Sequence, residues 1–277
     1  YQKQDSRIVV IEKPNTGYGH SMNIGLDKAS GKYLAIVESD DFIAPNMMEQ
    51  LYQEAEQTGA DLVKSNCYFY LDTPKEEKQF VNIFDELPTR EWICPIKRPE
   101  LFLKLQTIWS GLYRREFLVE NQIRFHETPG ASYQDVSFSF QVYACATKVW
   151  LVPEAYYYYR TSNLNSSVKA PNKVFCICEE LEKINQFIEE KGKEEEALKR
   201  IASRLGYRVL LESYHGLASA FQYALFLRMV EYLKSYQENG YLGDPIWDKK
   251  AVEEVEKIRK NPNQYFMETA KSFTDER

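Results

Sequence analysis

The sequence has no excess of positive charge: 35 Lys and Arg stand against 41 Asp and Glu, a net charge of −6. Without a basic face there is no electrostatic footprint for nucleic acid. Nor does any uninterrupted apolar run approach the ~18 residues that a membrane span needs. Cysteine is sparse and odd in number, at Cys67, Cys94, Cys145, Cys176 and Cys178. A disulfide framework or a zinc site would show an even count or paired CxxC spacing, so these read as reduced thiols in a reducing compartment. No internal repeat or low-complexity tract occurs, and no Gly-rich, Lys-containing phosphate loop, which disfavours a nucleotidyltransferase. Against these absences, 44% of the 277 residues are apolar and 27% charged, enough for a real core and unlike a disordered chain. Aromatic residues reach 14%, with 20 Tyr and 4 Trp. They suit either a surface that meets sugars or a Tyr-rich core.

Hydrophobic patterning divides the chain in two. Arg7 to Glu12 (RIVVIE) reads as a buried strand ending in a Lys-Pro-Asn-Thr-Gly turn. Met22, Leu26 and Ala29 recur at helical spacing, with Gly31 as the stop. Tyr33 to Val37 forms a second apolar strand, Pro45 opens a helix through about Gln57, and Asp61 to Tyr70 is a third strand. This alternation predicts an α/β sheet with crossovers. Thr73 to Pro99 is Pro-punctuated and predicts irregular edge strands; Thr107–Tyr113 and Val149–Tyr159 read as strands around a helix beginning near Asp135. Beyond Pro171, Ile177, Leu181, Ile184 and Ile188 repeat at helical spacing, as do Leu198, Ala202, Leu205 and Val209. The division predicted is an α/β domain over residues 1–170 and an all-helical region over 171–277.

Asp40 and Asp41 follow an apolar strand, where ligands of open α/β sheets bind. Adjacent carboxylates repel unless a cation or donors compensate. Mg2+ or Mn2+ takes carboxylate oxygens together with phosphate oxygens, so a metal–diphosphate site is sensible here. An acidic loop that merely favours the following helix dipole is the other reading. The segment NTGYGHSMNIGLDKASGKYLAIVESDDFIAPNMMEQLY resembles the family 2 glycosyltransferases, in its Asn-x-Gly turn, its helix with Asn-x-Gly, its Gly-[EK]-Tyr strand and its acidic end. The likeness is dense over Arg7 to Tyr70 and extends to about Val168. It implies a GT-A fold, a mixed sheet flanked by helices, followed here by the helical region. It also implies an inverting transfer from a nucleotide-diphospho-sugar, such as a UDP-sugar, held through Mn2+ or Mg2+ on Asp40 and Asp41. Glu38 stands where the first acid of the DXD motif is expected, and Met22 where an Arg often precedes Asn23. His20, at a helix N-terminus, is a candidate phosphate donor or a solvated histidine. Asn15, Gly17, His20, Asn23, Asp40 and Arg160 form the expected donor site, Arg160 offering bidentate donors to a diphosphate or making a structural ion pair.

Inverting transfer needs a carboxylate to take the acceptor proton. The segment PGASYQDVSFSF places Asp135 about ninety residues after Asp41, where the family carries this base, with Gln134 replacing the usual Glu. The other reading makes Asp135 a helix N-cap. Glu127 is a reserve base. Trp109 in WSGLYRREFL, with Tyr133 and Gln134, is expected to meet the acceptor, Trp109 stacking on a sugar or filling the core. The run YYYYRTSNLNSS resembles the family's Tyr-Tyr-Arg…Ser-x-Ser segment. Cys176 and Cys178 point to different helical faces, and His126 and His215 fall in no metal or triad spacing. The chain opens on Tyr1 without the family's first strands, which predicts an N-terminally truncated catalytic domain with an unpaired sheet edge. The function expected is surface-polysaccharide synthesis on a glycan or lipid-linked acceptor. Its place would be the cytoplasm, with peripheral association at the inner membrane face and an oligomer as options. The alternative is a non-catalytic interaction module that docks a partner through its helical region.

Overall fold

The computed structural model describes residues 1–72, 77–162, 173–192 and 195–270. Helix α1 (Tyr18–Lys28) is followed by strands β1 (Tyr33–Ala35) and β2 (Phe42–Ile43), helix α2 (Met47–Thr58), and strands β3 (Leu62–Leu71), β4 (Glu77–Val81) and β5 (Trp92–Ile93). Two 3-10 turns, Pro95–Lys97 and Pro99–Leu103, lead to β6 (Gly111–Arg114) and α3 (Arg115–Glu120). Then come α4 (Gln134–Cys145) and β7 (Val149–Arg160). The remainder is helical: α5 (Cys176–Lys191), α6 (Glu195–Gly216), α7 (Ser219–Glu238), α8 (Lys249–Lys260) and α9 (Pro262–Thr269). The boundary expected near residue 170 lies outside the described residues, as does the Ser-x-Ser part of the YYYYR run.

The mixed sheet runs β1-β6-β3-β7-β2, with β4 on β3 and β5 on β7. Its centre is the parallel pair β3 and β7. Leu62 to Cys67 is buried at every position, because this central strand is covered on both faces. Pairing between β3 and β7 shifts register between Ser65 and Cys67, across from Val152–Tyr157. Pro153, which has no N–H for a ladder, sits in this bulge. Its carbonyl accepts from Asn66 Nδ2 at 2.8 Å. The bulge sets which tyrosines of β7 face which side: Tyr157 and Tyr159 lie opposite Cys67 and Phe69 on one face, Tyr158 and Arg160 on the other.

Two strand expectations are corrected. Arg7 to Glu12 forms no strand: it pairs with no described strand, and Val9 is 70% exposed. Apolar β-branched residues promote a strand only where a neighbouring edge accepts their hydrogen bonds. Thr107 to Ser110 is a turn, and β6 starts at Gly111. That turn is tied down from below by Lys64, only 1% exposed, whose Nζ donates to the Thr107 carbonyl. Burial lowers the Lys64 ammonium to about 7.

One apolar cluster runs from α2 and the sheet through α4 into α5, α6, α7 and α8. Helix α4 is buried from Val136 to Tyr143, as expected of a helix covered on several sides. Its first turn is pinned to α5 by Glu180, 1% exposed, which accepts from Ser137 Oγ and lies 3.0 Å from His126 Nδ1. Burial raises the Glu180 carboxyl to about 8, with the Ser137 hydrogen bond opposing. Burial lowers His126, so the two do not form a strong ion pair.

A raised carboxyl pKa means that the folded state holds the proton more tightly than the unfolded chain. The stabilisation is complete below the usual Glu range and is lost as pH rises toward about 8. Glu180→Gln mimics the protonated form, so its urea-unfolding free energy is expected to fall less than wild type between pH 5 and pH 8. Parallel pH curves for the two proteins would show that Glu180 is ionised in the fold.

Candidate active site

Pairing of β2 with β7 brings the acidic loop beside the end of β7. Asp41 is tied there at both oxygens: Arg160 N–H donates to Oδ1 and the Tyr157 hydroxyl to Oδ2, each at 2.8 Å. Tyr157 in turn accepts from the Glu38 N–H at 3.1 Å, so one buried ring clamps both ends of the Glu38–Asp41 turn. Burial still raises Asp41 above the usual carboxylate range, with the two donors opposing. Asp40 is exposed. Glu38 accepts from the Tyr18 hydroxyl at 2.6 Å, and burial raises its carboxyl as well.

Asp135 enters from the other side. Helix α4 is preceded by Tyr133, whose φ of 60° is left-handed and whose side chain makes no cap. Asp135 therefore sits inside the first turn and is not the N-cap. Burial raises its carboxyl to about 6, and the Asp135 and Val136 N–H groups oppose the rise. Glu38 raises it further and Arg208 lowers it. Burial raises the Tyr159 hydroxyl, and the charges of Asp41, Asp40, Asp135 and Glu38 raise it further, so the acidic turn and Asp135 both lie within electrostatic reach of it.

Tyr159 was not singled out in the sequence, hidden within four consecutive tyrosines. Its ring is 38% exposed and stacks on Trp109 at 5.4 Å and 12°. Trp109 is 8% exposed and stacks also on Tyr157 at 4.2 Å, so it supports the site from beneath. Gln134 is buried and spans Ser132 N–H and Thr128 Oγ1, bracing the loop before α4. Tyr133 is half-buried beside it.

The residues expected at the donor fall into separate groups. Asn15 Oδ1 accepts from Gly17 N–H at 3.2 Å. Gly17 has a φ of 96°, and a Cβ there would meet Thr128 O at 2.3 Å, so only glycine lets α1 approach the 126–130 loop. Asn23 brackets Phe125, donating to its carbonyl at 3.0 Å and accepting from its N–H at 2.9 Å. Glu127 receives Asn23 Nδ2 and lies 2.8 Å from His20 Nδ1. Those hydrogen bonds hold its carboxyl below the usual range, a poor setting for a proton acceptor. Arg160 points to the opposite sheet face. Its guanidinium bonds Asp72 and the Asp40 carbonyl and lies over Phe42 and Tyr70.

No group of three or more His, Cys, Asp or Glu among the described residues forms a protein-only metal cage. A hard cation shared with a diphosphate needs only one or two carboxylates. Asp40 is exposed, and Asp41 accepts a hydrogen bond at each oxygen.

Residues 1–134 match the family model described as Glycosyl transferase family 2. The chain is 30% identical over 182 residues to the glycosyltransferase EpsJ of Bacillus subtilis, an alignment covering 62% of this chain and 50% of EpsJ. It is 26% identical over 190 residues to a cholesterol galactosyltransferase of Borreliella burgdorferi, covering 62% and 50%. With the succinoglycan biosynthesis protein ExoO of Rhizobium meliloti it shares 25% identity over 160 residues, covering 55% and 44%. The chain spans about half the length of the curated relatives it matches. A crystal structure of S. aureus TarS 1-349 in complex with UDP-GlcNAc shares the fold at a TM-score of 0.55 and 16% identity, over 92% of this chain and 74% of that one. No helix among the described residues is long and apolar enough to cross a membrane. Residues 1–134, just under half of the chain, thus match glycosyltransferase family 2, on a mixed sheet of GT-A type followed by a helical region.

Proposed function

We propose that the protein is an inverting glycosyltransferase of polysaccharide synthesis, taking a sugar from a nucleotide-diphospho-sugar to a hydroxyl of a glycan or lipid-linked acceptor. The acidic turn of Glu38, Asp40 and Asp41, clamped by Tyr157 at the end of β7, together with Asp135 in the first turn of α4 and within electrostatic reach of Glu38, carries this reading. Three of these carboxylates belong to one turn, and the fourth stands in the first turn of a separate helix. This arrangement suits a donor on one side and a proton acceptor on the other. A UDP-sugar is the favoured donor, in keeping with the UDP-GlcNAc bound in the TarS structure. The likeness to the succinoglycan biosynthesis protein ExoO supports a polysaccharide product. We place the reaction in the cytoplasm, at or near the inner membrane face.

Asp135 accepts the proton of the acceptor hydroxyl as its oxygen forms the new bond to the anomeric carbon. The carbon–oxygen bond to the diphosphate breaks on the opposite face, and the nucleotide diphosphate leaves with that electron pair. Asp40 would hold Mn2+ or Mg2+, which when bound neutralises charge on the diphosphate. Asp41 keeps the turn in place through Tyr157 and Arg160. Tyr159 presents an aromatic face, backed by Trp109, on which an acceptor sugar stacks.

Calorimetric titration with UDP, with and without Mn2+, tests the donor side. Mn2+ should tighten UDP binding to the wild type, and Asp40→Asn should abolish that gain at unchanged thermal stability. Asp41→Asn should instead cost about 1–2 kcal/mol of stability, since it disturbs hydrogen bonds to a charged group. A metal effect that survives Asp40→Asn would move the ion elsewhere.

Asp135→Asn should lower transfer by about 10²–10⁴-fold while UDP affinity stays within error. Because the base must be ionised, wild-type kcat/KM should rise with pH through about 6. Substantial turnover by Asp135→Asn would remove Asp135 from that role. Tyr159→Ala should raise the acceptor KM by up to about tenfold, the worth of one stacked ring, with Tyr159→Phe close to wild type. A change in UDP affinity would place the ring at the donor instead.

A further inference from the structure

Burying an amine costs free energy that an apolar side chain of similar volume would spare, yet Lys64 lies fully buried on the central strand β3. Its Nζ donates to the Thr107 carbonyl, at the start of the turn that leads into β6. Two further carbonyls of that turn are held from the same pair of strands. Ile108 accepts from the Tyr113 hydroxyl of β6 at 2.7 Å, and Ser110 from the Ser65 N–H of β3 at 2.9 Å. Thr107 Oγ1 and Ser110 Oγ lie 2.7 Å apart and close the turn on itself. Gly111 leaves room for the amine's stem, since a Cβ there would lie 3.1 Å from Lys64 Cγ and 2.9 Å from the Val63 carbonyl. At the tip of the turn, Trp109 stacks on Tyr157 at 4.2 Å and on Tyr159 at 5.4 Å. Of these three rings only Tyr159 is exposed.

We propose that Lys64 is a positioning residue for the acceptor: its amine, bonded to the Thr107 carbonyl, fixes the turn that sets Trp109 against Tyr159. The inference rests on the reading of Tyr159 as the ring on which an acceptor sugar stacks, and it names what holds that ring's support in place. Stacking requires the ring at a set height and tilt, so a turn free to shift would present Tyr159 in many poses. A hydrogen bond from an amine that carries charge is among the stronger ones available to hold a carbonyl. Without it, the Thr107 carbonyl keeps only the Ser110 N–H at 3.3 Å and the Ser110 hydroxyl at 3.2 Å. The core itself does not need the amine. Methionine has a similar length, and exchanging a buried charge for an apolar side chain is often neutral or stabilising. Loss of global stability and loss of Trp109 placement are therefore separable.

The test compares wild type with Lys64→Met in the ligand-free full chain. Amide hydrogen exchange at Ser110 should quicken by about ten- to a hundredfold, as expected on losing a charged hydrogen bond. Exchange at the centre of β3 and β7, and the urea midpoint, should stay as in wild type. The Tyr159 ring resonance, identified by its absence from Tyr159→Phe, carries a ring-current shift from Trp109. In Lys64→Met it should move toward the position of an unstacked tyrosine. If Lys64→Met fails to fold, Lys64→Gln, neutral and shorter, takes its place. Unchanged exchange at Ser110, or an unmoved Tyr159 resonance, in whichever variant folds overturns the proposal. So does faster exchange spread evenly over the sheet, which marks Lys64 as a support of the fold alone. Methyl β-D-glucoside, added with UDP and Mn2+, reads the acceptor side through the same Tyr159 resonance. Lys64→Met should weaken its binding by up to about tenfold while UDP affinity stays within error; equal glucoside binding in both proteins overturns the role in acceptor positioning. A wild-type Tyr159 resonance that ignores the glucoside removes the acceptor reading instead, and the coupling of Lys64 to Trp109 is then decided by exchange and ring shift.

Discussion

Crowding of negative charge at the acidic turn is the constraint on which the rest of the structure depends. Glu38, Asp40 and Asp41 share that turn, and Asp135 lies within electrostatic reach of Glu38. Carboxylates so placed repel one another, and burial raises three of them above their usual range. The fold answers with neutral donors. Tyr18 donates to Glu38, Tyr157 and a backbone N–H donate to Asp41, and the Asp135 and Val136 N–H groups favour ionised Asp135. This balance leaves Asp40 exposed, and it leaves Asp135 with a pKa suited to accepting a proton near neutrality.

The architecture serves this arrangement. The bulge opposite Pro153 decides which tyrosines of β7 turn toward the carboxylates, and Tyr157 then clasps the acidic turn from beneath. Trp109 fills the space behind Tyr157 and Tyr159, and the buried amine of Lys64 steadies the turn that presents Trp109. Helix α4 is held by α5 through Glu180 and Ser137, so Asp135 is carried by a helix whose other faces are packed. The helical region shares one continuous apolar cluster with the sheet. Its contribution to the site follows from that packing, since Glu180 of α5 bonds Ser137 in the turn that carries Asp135.

Much of this was legible along the chain. Local hydrophobic periodicity marked α1, α2, β3, α4 and β7 close to their observed limits, because each buries a face that its own residue pattern specifies. Arg7 to Glu12 went astray for the reason that β-structure is not local: the same apolar run is a strand beside a partner and an exposed coil without one. Thr107 to Ser110 read as strand because its apolar residues are buried, yet the burial is that of a turn held by Lys64. Arg160, read as either a donor to a diphosphate or a structural ion pair, is turned by alternation along β7 to the face opposite Tyr159, where it braces Asp72 and the Asp40 carbonyl. Asn23 and Gln134 carry polar groups that buried backbone had to claim, a demand visible only once the loops are folded against them.

The residues alone determined the class of fold, the acidic turn after β1 and the acid that opens α4, because strand and helix periods and charge are properties of neighbours in the chain. Tertiary structure decided which of those acids share a face, which one stays open to solvent, and that a tyrosine within a run of four stands among them. Burial and electrostatic coupling depend on distances through space, and those exist only after the sheet has paired and the helices have packed against it.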